Sequence, residues 1–167
     1  MIIIQILKFM VNNQKILFKF IQTNNNVNWD SISYRYKLSE NFIQEFQDKV
    51  NWYRMSEYQT LSEFLIKEFQ DKVDWDFISR YQKLSENFIR EFQDKVNWCE
   101  ISLNQTLSEN FILEFQNKVD WSSISRCQTL SETFIREFKN NVNWYFILRC
   151  QELSEDFKSK FNHKLND

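Results

Sequence analysis

Apolar and polar positions along this chain recur with a period of 23 residues. Tryptophan stands at Trp29, Trp52, Trp75, Trp98, Trp121 and Trp144, and leucine keeps the same step at Leu38, Leu61, Leu84, Leu107, Leu130 and Leu153. The shared unit reads L-S-E-N-F-I-R-E-F-Q-D-K-V-N/D-W-x-x-I-S-R-Y-Q-K/T. At ~100° per residue, one period of a continuous helix ends about 140° out of phase, so its apolar stripe would scatter around the rod. The period is neither a heptad nor an 11-residue repeat, which excludes a coiled coil. It is odd, so a strand would present opposite faces in successive copies. The unit must fold back on itself.

Within the unit, Leu38 to Val50 predicts an amphipathic helix of about three turns. Ser39 is a good N-cap, and Glu40 sits in the first turn where the helix dipole favours it. Phe42, Ile43, Phe46 and Val50 share one face. Glu45 and Lys49 have the spacing of an intrahelical ion pair, as do Glu68/Lys72, Glu91/Lys95 and Glu114/Lys118. Asn51, Asp74, Asn97, Asp120 and Asn143 are strong N-caps and open a second helix of about two turns. Its inner face is expected to hold Trp52 and Met55, or Trp75/Ile78, Trp98/Ile101, Trp121/Ile124 and Trp144/Ile147, continued by Tyr58, Tyr81, Cys127 and Cys150. Glycine is absent. Asn and Asp are therefore the residues expected wherever a turn needs positive φ.

Helices this short are unstable alone and persist only by packing on each other and on neighbouring copies. The fold class is therefore all-α, a solenoid of about six helix-turn-helix repeats. Residues 1–27 read as a degenerate N-terminal cap repeat, 28–152 as the tandem array and 153–167 as a polar C-terminal cap. In the last copy, Lys158 takes the Ile43 position and Lys160 the Glu45 position.

Composition changes this picture little. Hydrophobic residues make up 43% of the 167 and charged residues 26%, so a core can form. The net charge of −2 lacks the basic footprint of a nucleic-acid binder, and no stretch reaches the roughly 18 apolar residues of a membrane span. Loss of Gly, Pro and Ala, all encoded by GC-rich codons, suggests an AT-rich genome. The odd count of cysteines, Cys99, Cys127 and Cys150, reads as reduced thiols in an intracellular, cytoplasmic protein, each a small apolar filler.

The unit resembles the Phe/Trp-rich LSExFIxEFxxKVxW tandem repeats of proteins encoded by giant DNA viruses. The resemblance spans about residues 28–161. It implies a viral protein working in the host cytoplasm and carries over no functional residue.

Most candidate chemistry dissolves into the repeat. Ser39, Ser62, Ser85, Ser108, Ser131 and Ser154 sit where caps belong. The one histidine, His163, has no partners for a catalytic triad. The glutamate columns read as a solvated helix face. No catalytic residue, cofactor site or metal site is expected. Arg80, Arg126 and Arg149 share a column that would suit a phosphate backbone, but Glu57 and Leu103 interrupt it. What remains are positions where the copies disagree: Tyr53, Arg54, Phe77, Glu100, Tyr145 and Phe146 in the second helices, and Arg90 and Arg136 in the first. These form the expected surface for an unknown protein partner of a non-enzymatic scaffold; the alternatives are a nucleic-acid-binding repeat or a structural or virion component with no discrete ligand.

Overall fold

The computed structural model describes residues 26–165 together with Lys19, Ile21 and Thr23, so the expected N-terminal cap 1–27 lies largely outside the described residues. Across 26–165 the chain is all-α, with twelve short helices in pairs that repeat every 23 residues. They are α1 (Trp29–Arg35), α2 (Glu40–Glu45), α3 (Trp52–Tyr58), α4 (Glu63–Glu68), α5 (Trp75–Tyr81), α6 (Glu86–Glu91), α7 (Trp98–Asn104), α8 (Glu109–Glu114), α9 (Trp121–Cys127), α10 (Glu132–Glu137), α11 (Trp144–Cys150) and α12 (Glu155–Phe161), followed by a 3₁₀ turn at Asn162–Leu165. The chain divides into two compact units, Met1–Gln82 and Lys83–Asp167. Within the first, α1 packs on α3 and α3 on α5. Within the second, α7 packs on α9 and α9 on α11. Contact between successive second helices is the α-solenoid pattern.

Local sequence explains both helix starts. Ser39, Ser62, Ser85, Ser108, Ser131 and Ser154 each accept the N–H three residues on. Asn28, Asn51, Asp74, Asn97, Asp120 and Asn143 do the same for the second helices. Their φ lies near the ordinary extended range, and no described residue has positive φ. The expectation of left-handed Asn or Asp turns is therefore corrected. The chain turns by passing from helical to extended backbone at Gln59 and its equivalents, which any residue can do.

The first helix is shorter than expected, six residues ending at the Phe46 C-cap. A further turn follows, in which the Phe46 carbonyl accepts from both Lys49 and Val50 N–H. Lys72 reaches the preceding repeat, bonding Gln47 and, at 2.8 Å, Asp48 rather than the expected Glu68, and Lys118 bonds Asp94 at 3.0 Å in the same way.

The core is built of rings and aliphatic side chains in layers. Phe42, Ile43, Leu65, Ile66, Met55 and Ile78 are fully buried, as are Ile89, Ile101, Phe111, Ile112, Ile124, Ile135 and Ile147. Each tryptophan is half-buried, and within a unit its ring packs against the phenylalanines that follow it. Trp29 lies 5.2 Å from Phe46, Trp52 4.7 Å from Phe69, Trp98 4.9 Å from Phe115 and Trp121 5.1 Å from Phe138. The indole N–H donates to a carbonyl five residues back, as with Trp52 to Gln47 at 2.8 Å and Trp98 to Gln93 at 2.9 Å.

Within each unit, three polar columns join a repeat to its neighbour. Buried Gln82 donates from Nε2 to the carbonyls of Ser56 and Gln59 and accepts the Leu61 N–H at 2.9 Å. Gln59 makes the same three bonds to Ser33, Tyr36 and Leu38, and Gln128 to Ser102, Gln105 and Leu107. Fully buried Ser33 accepts the Asn51 N–H and donates to its own Trp29 carbonyl. Ser56, Ser102 and Ser125 accept likewise from Asp74, Asp120 and Asn143. Glu40, Glu86 and Glu132 accept the N–H of the next repeat's capping serine. Among the described residues, no buried side-chain polar atom is left without a partner.

Two outcomes follow from these bonds. Gln82→Leu keeps the side-chain size but strands one N–H and two carbonyls, so urea denaturation should show a loss of about 3 kcal/mol. A loss no larger than that of an exposed control such as Asn87→Leu would contradict the clamp. Glu132 is held below the usual carboxylate range by hydrogen bonds from the Ser154 hydroxyl and N–H. A depressed folded pKa stabilises above the unfolded value of about 4.3, and that contribution fades as pH falls through the folded value. The stability gap between wild type and Glu132→Gln should therefore close on acidification from ~pH 6 to ~pH 3. A gap independent of pH would rule this out.

Candidate functional site

Helix phase decides what each second helix shows outward. Seven residues past the tryptophan, ~700° of rotation returns a side chain to within ~20° of the indole direction, whereas six residues leave it far off. The seventh position holds buried Gln59, Gln82, Gln105 and Gln128; the sixth points away. Tyr58 and Tyr81 are accordingly 52% exposed, and Cys127 and Cys150 are exposed, as is Cys99. The expectation that Tyr58, Tyr81, Cys127 and Cys150 continue the inner face is corrected, as is the reading of the cysteines as buried fillers.

In the first unit this outward face is a cluster of rings around one guanidinium. Tyr53, 51% exposed, meets Phe77 edge-on at 4.7 Å, and Phe77 stacks on Tyr81 at 5.8 Å. Tyr34 and Tyr58 stand 5.9 Å apart. Arg54 lies over the rings of Tyr34, Tyr53 and Tyr58 at 5.6–6.0 Å. It also pairs with Asp30 at 3.6 Å and Glu57 at 3.4 Å. A hydrogen bond to Glu57 holds the Tyr58 hydroxyl above the ordinary phenol value. Such rings offer large apolar area with little rotamer freedom to lose, the composition of a binding hot spot.

In the second unit, Tyr145 is 52% exposed and meets half-buried Phe146 edge-on at 5.3 Å. Arg149 lies 4.5 Å from the Tyr145 ring centre and Arg126 5.9 Å from that of Phe146. Arginines of the column that could have met phosphates are thus laid against aromatic faces. Glu100 is held by the Asn104 side chain at 2.9 Å.

Arg90 and Arg136 separate from this group. They lie on first helices, where Arg90 bonds Glu114 at 2.8 Å over the Phe111 ring and Arg136 bonds Glu132 at 3.1 Å over the Phe157 ring. Arg90 thus links α6 to α8, while the Arg136 ion pair stays within α10.

Grooves open where successive second helices end. In the first unit, Tyr34, Arg35, Tyr36, Lys37 and Tyr58 wall a groove of about 250 Å³ with Gln59 in its lining. The register-equivalent groove of the second unit, about 320 Å³, has Arg126, Cys127, Cys150 and Glu152 on its walls and Gln151 in the glutamine position. The buried framework repeats while the walls differ. The copies' disagreement at Tyr34, Arg35, Lys37 and Tyr58 was visible in the sequence, but their convergence was not.

Among the described residues, no group of three or more His, Cys, Asp or Glu side chains converges as metal ligands would, and no helix is long and apolar enough to cross a membrane. Models of known protein families give no match to this chain, and neither curated proteins nor solved structures match it.

The outward cysteines give a direct check. A small disulfide reagent should modify all three thiols of the folded protein without added denaturant. Any thiol that reacts only after denaturant is added would place that residue in the interior instead.

Proposed function

We propose that the chain is a non-enzymatic helical-repeat scaffold that binds another protein through the outward face of its second helices. The observation that carries this reading is the ring cluster of Tyr34, Tyr53, Tyr58, Phe77 and Tyr81 beside Arg54, in which Tyr53, Tyr58 and Tyr81 are exposed. Its neighbours in the repeat are taken up by backbone caps and inter-repeat bonds, and side chains so engaged are poorly placed for acid–base or nucleophilic work. Arg90 and Arg136, with their own ion pairs, belong to the framework in this reading rather than to the binding face. The likeness of the unit to giant-virus repeats supports a viral protein working in the host cytoplasm.

Site-specific photocrosslinking tests it. A benzophenone amino acid at Tyr53 or Tyr145 should yield a discrete protein adduct in expressing cells, insensitive to nuclease. The same group at Asp94, exposed in the turn that follows α6, should yield none. Tyr53→Ala with Phe77→Ala should lower recovery of the partner about tenfold, the size of a ~1.4 kcal/mol hot-spot loss. Adducts at Asp94 alone, or recovery unchanged by the double substitution, would refute the assignment; a nuclease-sensitive adduct would favour nucleic acid.

A further inference from the structure

We propose that the groove between the C-terminal ends of α1 and α3 is a subsite for an extended, acidic protein segment. This rests on the protein-binding reading above and names the kind of partner.

Five wall residues carry the argument. Tyr34, Tyr36 and Tyr58 supply rings, and Arg35 and Lys37 supply charge. No carboxylate lines the groove. The two acidic side chains of α1 and α3, Asp30 and Glu57, are both engaged by Arg54. Arg35 uses its Nε on the Tyr34 hydroxyl at 2.6 Å, which leaves its terminal N–H groups directed elsewhere. Neither Arg35 nor Lys37 has a carboxylate within ion-pair distance among the described residues, and both are exposed. The result is a positive groove whose counter-charge is not supplied from within the unit.

The helix end would ordinarily work against an anion, because its last carbonyls point outward. Here Gln59 occupies two of them, donating to the Ser33 and Tyr36 carbonyls at 2.8 and 2.7 Å. The clamp that joins the repeats also covers the negative end of α1. A carboxylate can then meet the guanidinium through charge-assisted hydrogen bonds. In an extended segment alternate side chains point the same way, so apolar side chains between the acidic ones can lie on the tyrosine rings.

Nucleic acid fits less well. A phosphate chain needs a basic track along its length. Two cations at one step, in a chain of net charge −2, do not provide one. The register-equivalent groove of the second unit carries Arg126 opposite Glu152 and no ring, so it serves as an internal control.

Fluorescence anisotropy on the full chain tests the proposal with three labelled probes: an octapeptide of alternating Glu and Leu, the same peptide with Gln for Glu, and an oligothymidylate of equal length. The Glu peptide should bind about tenfold more tightly than the Gln peptide and should weaken as salt rises from ~0.05 to ~0.5 M. Arg35→Gln with Lys37→Gln should remove that preference, while Arg126→Gln leaves it intact; thermal melting confirms that each variant is folded. Equal binding of the two peptides, or a preference that survives the double substitution, overturns the proposal. So does oligothymidylate binding that exceeds the peptide's and is lost in the double variant. If Tyr53 crosslinks a protein while the Glu peptide does not bind, the acidic occupant alone is wrong. If neither occurs, the protein-binding reading falls with it.

Discussion

The structure depends on one side-chain amide. A helix of six or seven residues leaves nearly as many backbone groups unpaired at its ends as it pairs within itself. A solenoid of such helices is stable only if those groups find partners elsewhere. The glutamine seven residues after Trp52 and each later tryptophan is placed to supply three of them at once, as Gln82 does for two carbonyls of the preceding repeat and one N–H. An amide is suited to this because it carries donors and an acceptor on one planar group. A carboxylate could not donate, and an aliphatic side chain could do neither.

The serine and glutamate columns extend the same logic. Buried serine passes a hydrogen bond from its own helix to the next repeat's asparagine or aspartate, and exposed glutamate reaches the next repeat's capping serine. Hydrophobic burial holds the layers together, but it is non-directional. The polar columns fix the register between layers. This division explains why so many polar residues repeat with the same strictness as the core. It also explains how sharp reversals occur with no described residue at positive φ.

Much of this was legible in the sequence. Trp52, Phe42, Ile43 and Ser39 were readable because their roles are local, set by helix phase or by a cap three residues away. Gln82, Ser56 and Glu40 were not. Their partners lie 18 to 26 residues away, and nothing in the period says which side chain of one copy meets which backbone group of the next. The misplacement of Tyr58 and Cys127 had a different cause, a one-residue error in helix phase that rotation alone could have corrected. The candidate surface was half legible. Tyr53, Phe77, Tyr145 and Phe146 stood out by varying between copies; Arg90 and Arg136 varied equally but lie on first helices, each paired with a glutamate. Variation marks freedom from the framework; it does not say which side of the molecule is free.

Because each clamp is made between one copy and the next at a fixed offset, any two copies present equivalent joining surfaces. A gene encoding such a chain tolerates unequal recombination between its own repeats. Removing or duplicating one whole unit brings together a donor glutamine and the carbonyls it needs, with no orphaned group at the junction. A shift by any other length breaks every bond across the seam. Copy number is thus a heritable variable that point mutation need not touch, and the outward rings on each unit can be gained, lost or reordered as blocks.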